Sequence, residues 1–167
     1  MGGIRIRERR NIFFTQPVAE LETPAQQHPQ RDEQTFSATH GKVIAVCEDE
    51  DDNYLLLREL LHKRGFETVR FSNGKEIVDY VVKNGCSGFS LILMDIKMPV
   101  LNGFEASRRI WQLFPGFPIV AQTAYAMSDE IANMQDAGFH EILVKPINPA
   151  KLDAIIERFV RLDKKDE

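Results

Sequence analysis

The chain alternates short apolar runs with amphipathic segments from Lys42 onward. Short apolar runs rich in branched residues are typical of buried strands, and apolar residues that recur every three or four positions are typical of helices. The pattern predicts strands in "VIAVC", "FETVRF", "SLILMD", "PIVAQTA" and "EILVKP". It predicts helices in "NYLLLRELLHKRG", "NGKEIVDYVVKNG", "GFEASRRIWQLF", "SDEIANMQDAG" and "NPAKLDAIIERFVRL". This alternation predicts an α/β domain with a mostly parallel sheet, right-handed crossovers and helices on both faces.

Polar and small residues mark where the predicted helices begin and end. We expect Asp51 or Asp52 to cap the first helix and Ser128 to cap the fourth. The fifth helix is expected to begin with Asn148 as cap and Pro149 at the first helical position. The residues expected to face the core are Leu56, Leu60 and their neighbours in the first helix, and Ile77, Val78, Val81 and Val82 in the second.

Composition divides the chain into three parts. Residues 1–41 are predicted to be an N-terminal extension and linker, because Pro, Gln, Thr and Glu are frequent there and the apolar residues have no period. Residues 42–163 are predicted to form the domain, and residues 164–167 a tail.

Charge, hydropathy and cysteine usage exclude several classes of protein. The formal net charge of -4 argues against a general binder of nucleic acid. No apolar run is long enough to span a membrane, and the basic start lacks the apolar stretch of a secretory signal. The two cysteines show no CxxC spacing, which favours reduced core residues in a cytoplasmic protein. The missing apolar span predicts no membrane contact by this segment.

Chemically active side chains cluster where the predicted strands end. Glu48 and Asp49 follow the first strand, Asp95 ends the third, Thr123 the fourth and Lys145 the fifth. In parallel α/β sheets, ligands bind beyond the carboxyl ends of the strands. Clustered carboxylates need a cation, and hard oxygen ligands favour Mg²⁺. With Lys145 as a second cation and Thr123 as a donor, the set predicts phosphoryl transfer to or from an acid.

Five short motifs together resemble the receiver domain of two-component response regulators. They are the acidic pair Glu48-Asp49, "LILMDIKMP", "GFEA", "QTAYA" and "KPI", in the family's order and spacing between Lys42 and about Leu162. The resemblance implies a doubly wound, flavodoxin-like sheet of five parallel strands in the order 2-1-3-4-5. It also implies that Asp95 accepts a phosphoryl group from a histidine of a partner kinase or histidine phosphotransfer domain.

The resemblance implies further roles, residue by residue. Asp49 would bind Mg²⁺ directly, Glu48 directly or through water, and the backbone carbonyl of Lys97 would be a further ligand. Lys145 would pair with the acceptor or its phosphoryl group, and the Lys145–Pro146 bond would be cis. Thr123 would move toward the phosphoryl group and carry the switch.

Three positions are expected to adjust the output and the lifetime of the phosphoryl group. The family often has an aromatic residue three positions before the lysine, where this chain has Ile142, so an aromatic rotamer switch is not available. Lys97 and Tyr125 lie two residues after the acceptor and the threonine, at positions that adjust the lifetime in the family. Because a ring at Tyr125 could shield the acyl phosphate from water, we expect slow self-dephosphorylation.

Other functions were weighed against this hypothesis. Phosphatases of the haloacid-dehalogenase type place their nucleophilic Asp after the first strand and another Asp two residues later, whereas Asp95 follows the third strand and precedes Lys97 by two. A flavin-binding domain of the same architecture would not place five acids where its phosphate binds. A receiver-like interaction module that is never phosphorylated is a further alternative.

The two ends of the chain suggest its context. Gly2, Gly3, Ile4, Phe14 and Pro17 resemble the last strands of a histidine-kinase ATP-binding domain, which would make this chain the end of a hybrid kinase without a kinase core. Only "DKKDE" follows the last predicted helix. We therefore expect output through a downstream protein partner at the fourth helix, fifth strand and fifth helix, where a homodimer is also possible.

Overall fold

The computed structural model describes residues 42–125 and 127–160, in which strands and helices alternate as the sequence predicts. The strands are β1 (Val43–Cys47), β2 (Glu67–Phe71), β3 (Leu91–Asp95), β4 (Ile119–Thr123) and β5 (Glu141–Val144). The helices are α1 (Asp51–His62), α2 (Gly74–Asn84), α3 (Gly103–Leu113), α4 (Ser128–Asp136) and α5 (Pro149–Phe159). The predicted linker, tail and kinase remnant lie outside the described residues. Among the helices described, none is long and apolar enough to cross a membrane.

All strand pairs are parallel, and the sheet order is β2-β1-β3-β4-β5. This order confirms the flavodoxin-like prediction, including β2 as an edge strand. The central strands β1, β3 and β4 are buried at every position. Because the strands run in one direction, the residues that end them meet at one edge of the sheet.

Two apolar clusters cover the two faces of the sheet. Alternate residues of β1 belong to opposite clusters, since side chains alternate along a strand. One cluster joins α2, α3 and α4 to the sheet, through Ile77, Val78, Val81, Ala106, Ile110 and Met134. The other joins α1 and α5 to the sheet, through Leu57, Leu61, Leu152, Ile155 and Ile156.

The helix faces predicted from the sequence were partly wrong. Leu56 is 47% exposed, while Leu57 and Leu61, one helical turn apart, are fully buried. Leu60 is partly buried and packs against the core, on the side that the sequence predicted. Val82 is 66% exposed, because α2 turns the preceding residue, Val81, toward the sheet instead.

The helix caps also differ in part from the prediction. Glu50, not Asp51 or Asp52, is in the N-cap position of α1, so both aspartates lie in the first turn, where the helix dipole favours negative charge. Ser128 is the first residue of α4 and not its cap. At α5 the prediction is confirmed: the Asn148 side chain accepts a hydrogen bond from Ala150 N at 2.9 Å, and a proline opens the helix.

Candidate functional site

A cleft of about 200 Å³ lies at the carboxyl edge of the sheet. It brings together five of the predicted residues, and Glu48 is buried beside them because the β1 end turns its side chain inward. Tyr125 is not among the residues that line the cleft, but its ring contacts the ammonium group of Lys97, which is. Ile142 does not belong to this cleft and instead lines a groove beside β5. The cleft residues are Asp49, Glu50, Asn53, Asp95, Lys97, Thr123, Ala124 and Lys145.

The ammonium group of Lys145 joins the two buried carboxylates. Its Nζ donates a hydrogen bond to Glu48 Oε2 at 2.8 Å and another to Asp95 Oδ2. Burial alone would lower the pKa of Lys145, but the hydrogen bonds and charges of these two carboxylates raise it above its usual value overall. Burial also raises the pKa of Glu48, although Lys145 opposes that effect. Lys145 therefore stays charged and offsets one of the two carboxylates.

The remaining oxygens of these two carboxylates are held by nearby donors. Asp95 Oδ1 accepts the backbone N–H of Lys97 at 2.8 Å. Glu48 Oε1 accepts from the backbone N–H of Glu50 and from Asn53 Nδ2, each at 3.3 Å. Asn53 was not predicted as a site residue, although a polar residue in the first turn of a helix after an acidic loop is a usable sequence signal. Each acid is thus oriented by more than one contact.

A glycine fixes the backbone of the proposed acceptor. A Cβ at Gly103, the first residue of α3, would lie 2.1 Å from the carbonyl oxygen of Asp95. The Gly103 N–H also donates to the Ile96 carbonyl at 3.1 Å. The start of α3 therefore lies directly against the end of β3, and only a residue without a side chain fits there.

The hydroxyl of Thr123 is engaged by the loop that follows it. Thr123 Oγ1 donates to the carbonyl of Tyr125 and accepts the N–H of the same residue, both at 3.1 Å. The Tyr125 ring is 46% exposed, and the Nζ of Lys97 lies 3.7 Å from its centroid, a cation–π contact. The ring and this ammonium group thus form a bridge between the loops after β3 and β4.

The three acidic side chains are close enough to one another to share a small divalent cation. Single oxygens of Glu48, Asp49 and Asp95 lie within 4.8 Å of one another. Oxygens bound to one Mg²⁺ at about 2.1 Å lie at most about 4.2 Å apart, so a small adjustment suffices. Three carboxylates and the Lys145 ammonium leave two negative charges, which match a divalent ion. The residues therefore fit Mg²⁺, whose preferred ligands are oxygens.

The fold and this site define a known class of domain. Residues 44–157 match the family model of the response regulator receiver domain. The chain therefore belongs to this family, and it is a receiver domain of two-component phosphorelay signalling.

Two relatives are signalling proteins that are much longer than the region they share with this chain. The chain is 36% identical over 119 residues to hybrid signal transduction histidine kinase I of Dictyostelium discoideum, covering 68% of this chain and 7% of that protein. It is 32% identical over 132 residues to sensor protein GacS of Pseudomonas syringae, covering 76% of this chain and 14% of that protein. The chain thus spans a small fraction of these relatives.

Two solved structures bear on the site. One is the receiver domain of sensor histidine kinase PA1611 from Pseudomonas aeruginosa, with a magnesium ion coordinated in its active site cleft. It is 30% identical, with a TM-score of 0.63, and the match covers 71% of this chain and 97% of that one. The other is the receiver domain of Saccharomyces cerevisiae Ssk1, crystallised with the histidine phosphotransfer protein Ypd1. It is 26% identical, with a TM-score of 0.65, and the match covers 75% of this chain and 95% of that one.

Proposed function

We propose that Asp95 accepts a phosphoryl group from a phosphohistidine donor in a Mg²⁺-dependent reaction. The observation that carries the proposal is the position of Asp95, which is 6% exposed at the cleft and bound to Lys145 beside two further acids. A carboxylate that lies at a cleft in contact with a cation is a competent nucleophile. A phosphatase of the haloacid-dehalogenase type would have a second Asp two residues after the nucleophile, but this chain has Lys97 at that position, which argues against this alternative.

The proposed step exchanges one bond to phosphorus for another. A carboxylate oxygen of Asp95 attacks phosphorus, the bond between phosphorus and the donor's imidazole nitrogen breaks, and the electron pair returns to that nitrogen. Lys145 would contact the transferred group, which is supported by the hydrogen bond from its ammonium group to Asp95 Oδ2. The negative charge that enters the cleft therefore meets a cation positioned in advance.

Mg²⁺ would be held by Asp49, Asp95 and Glu48, the last directly or through water, and by the backbone carbonyl of Lys97. When bound, the ion neutralises charge on the phosphoryl oxygens. The Lys97 N–H holds the acceptor's Oδ1, so the same short loop would orient both the acceptor and the metal.

Thr123 would act as the switch, and the Lys97–Tyr125 bridge would set the lifetime. To donate to a phosphoryl oxygen, the Thr123 hydroxyl must give up its bond to the Tyr125 carbonyl, which couples the threonine to the loop carrying the ring. Lys97 lines the cleft and its ammonium group lies against the ring, so the two together would hinder the approach of water. We expect an acyl phosphate that lasts minutes, and a half-life of seconds in the purified domain would contradict this expectation.

A donor protein would dock on apolar side chains around the cleft. Val100, in the loop after β3, is 78% exposed and has a φ of 66°, which is uncommon for a branched residue and typical of functional sites. Met127, in the loop after β4, is 69% exposed, and Leu56 on α1 is 47% exposed. By analogy with the Ssk1–Ypd1 complex, we propose a histidine phosphotransfer protein or a histidine kinase as the donor.

Output would pass through a separate groove at α4, β5 and α5. The groove has a volume of about 650 Å³ and is lined by Ile131, Ile142 and Val144, among others. Glu141 lies between two cations of α5, with Lys151 Nζ at 3.4 Å and Arg158 also paired to it. An apolar groove with charges at its border fits a downstream protein or a second copy of the domain, with Ile142 replacing the aromatic switch.

Phosphorylation by acetyl phosphate tests the proposal. With Mg²⁺, intact mass spectrometry should record a gain of one phosphoryl group in the parent and none in Asp95→Ala. Docking is tested separately with a phosphorylated histidine phosphotransfer protein: Val100→Asp should slow that transfer and leave acetyl phosphate labelling unchanged. Absence of labelling in the parent would favour the unphosphorylated interaction module.

A further inference from the structure

Arg70, on the edge strand β2, contacts the loop that carries the acidic pair through all three nitrogens of its guanidinium group. Nε donates to the carbonyl of Glu48 at 3.0 Å, and Nη2 donates to the carbonyl of Asp49 at 2.9 Å. Nη1 pairs with the carboxylate of Asp51 at 2.6 Å. One side chain therefore contacts Glu48 and Asp49 of the loop between β1 and α1 and also Asp51, the first residue of α1.

The aromatic ring of Tyr54 supports the guanidinium group. The Arg70 Cζ lies 4.9 Å from the Tyr54 ring centroid, and the Tyr54 hydroxyl shares a hydrogen bond of 3.1 Å with Thr68 Oγ1 on β2. The pairing of β1 with β2 also holds the loop near Arg70, because the Glu48 N–H donates to the Phe71 carbonyl at 3.0 Å. The planar fork of Arg70 is thus fixed before the loop binds anything.

The positive charge of Arg70 is offset by the carboxylate of Asp51. Arg70 would therefore affect Mg²⁺ binding through the positions of the ligands and not through its charge. Its partner Asp51 is 82% exposed, and each member of the pair carries one unit of opposite sign. The two carbonyl oxygens that it binds belong to the residues whose carboxylates face the cleft, which fixes the backbone from which both side chains start. Groups of this kind, which orient ligands without touching the metal, commonly change metal affinity about 10- to 100-fold when altered.

We infer that Arg70 is a positioning residue that holds Glu48 and Asp49 in the geometry for Mg²⁺. This inference rests on the proposed function, because it takes the two acids as metal ligands. Lysine carries the same charge but lacks the planar fork, so it cannot replace the three contacts together.

The test is the Mg²⁺ dissociation constant of Arg70→Lys, measured by isothermal titration calorimetry. We expect it to rise about 10-fold, whereas the matched control Arg108→Lys, at an exposed arginine of α3, should keep the parental value. In acetyl phosphate labelling, the Mg²⁺ concentration for half-maximal rate should rise while the maximal rate stays near the parental one. Urea unfolding of the same variant without Mg²⁺ separates this effect from a loss of stability.

The possible results separate the positioning role of Arg70 from the Mg²⁺ site itself. If the parent binds Mg²⁺ and Arg70→Lys binds it equally well, the positioning role is wrong and the proposed function stands. If the parent does not bind Mg²⁺, the metal site fails and the positioning role fails with it. A variant that is less stable but has the parental dissociation constant shows a structural role only, and also overturns the inference.

Discussion

Replacing Gly103 by alanine tests the close approach of α3 to β3, the strand that ends at Asp95. The added Cβ would lie 2.1 Å from the Asp95 carbonyl oxygen and 2.9 Å from Met94 Cγ. Carbon and oxygen atoms approach to about 3.3 Å even in close C–H···O contacts, so α3 and β3 must separate by about 1.2 Å. The obstacle is backbone, which cannot rotate away as a flexible side chain could.

The expected loss of stability from Gly103→Ala is about 2 kcal/mol. Overpacking of a fitted core costs about 1–3 kcal/mol. Alanine would recover at most about 1 kcal/mol through its helix propensity, and less at the first residue of a helix. For a domain of this size the net loss corresponds to a fall in Tm of about 8 °C. Since Asp95 is the group displaced, Mg²⁺-dependent labelling by acetyl phosphate should slow as well.

Urea unfolding followed by circular dichroism measures the effect, with Gly88→Ala as the matched control. A Cβ at Gly88 meets no atom within 4 Å, so this control should stay within about 0.5 kcal/mol of the parent. If Gly103→Ala unfolds at the parental urea midpoint, the close contact between α3 and β3 is wrong.

Three further predictions concern charge and burial. Lys145→Met leaves two buried carboxylates without their cation. Urea unfolding should therefore show a free energy of unfolding that is lower by about 3 kcal/mol and is partly restored by added Mg²⁺. An unchanged urea midpoint would argue against the pairing. Burial raises the pKa of the Cys47 and Cys86 thiols, the latter to about 11. Iodoacetamide at about pH 7.5 should therefore label both cysteines only in denaturant. Labelling of the native protein would contradict their burial. The hydrogen bond from Arg64 lowers the pKa of Asp153, so this pair stabilises the fold above the ordinary Asp pKa of about 3.9 and loses its effect as pH falls through the lowered pKa. Asp153→Asn should therefore be less stable than the parent at pH 7 and equal to it in strong acid, and a difference independent of pH would refute this.

Strand positions and the residues that end them could be predicted because they depend on local patterns. Runs such as "LILMD" have the length and composition of buried strands, and parallel strands place their carboxyl ends together. Asp95, Thr123 and Lys145 follow from this rule alone, and the structure brings them to one cleft. The role of Asp95 as acceptor of the phosphoryl group is a proposal that the labelling experiments test.

Helix orientation was harder to predict where apolar residues adjoin one another. Three leucines, Leu55, Leu56 and Leu57, follow in sequence, so several phases of the helix bury some of them. Contacts with the sheet select Leu57 and Leu61 and leave Leu56 exposed. Only tertiary packing decides this phase, because the local pattern is satisfied either way.

Contacts between distant segments could not be predicted. Arg70 reaches the acidic loop only because β2 pairs with β1 in the register that sets Val46 opposite it. A shift of one residue would turn its side chain to the other face of the sheet. The proximity of Gly103 to Asp95 likewise depends on how α3 docks and not on either segment alone.

The central claim is that Asp95 itself carries the phosphoryl group. After labelling with acetyl phosphate and Mg²⁺, borohydride reduces an aspartyl phosphate to homoserine, and peptide mass spectrometry locates the modified residue. The account predicts homoserine at position 95, and none when Mg²⁺ is chelated before labelling. Phosphoryl incorporation with homoserine at Asp49 or another carboxylate, and unmodified Asp95, would contradict it.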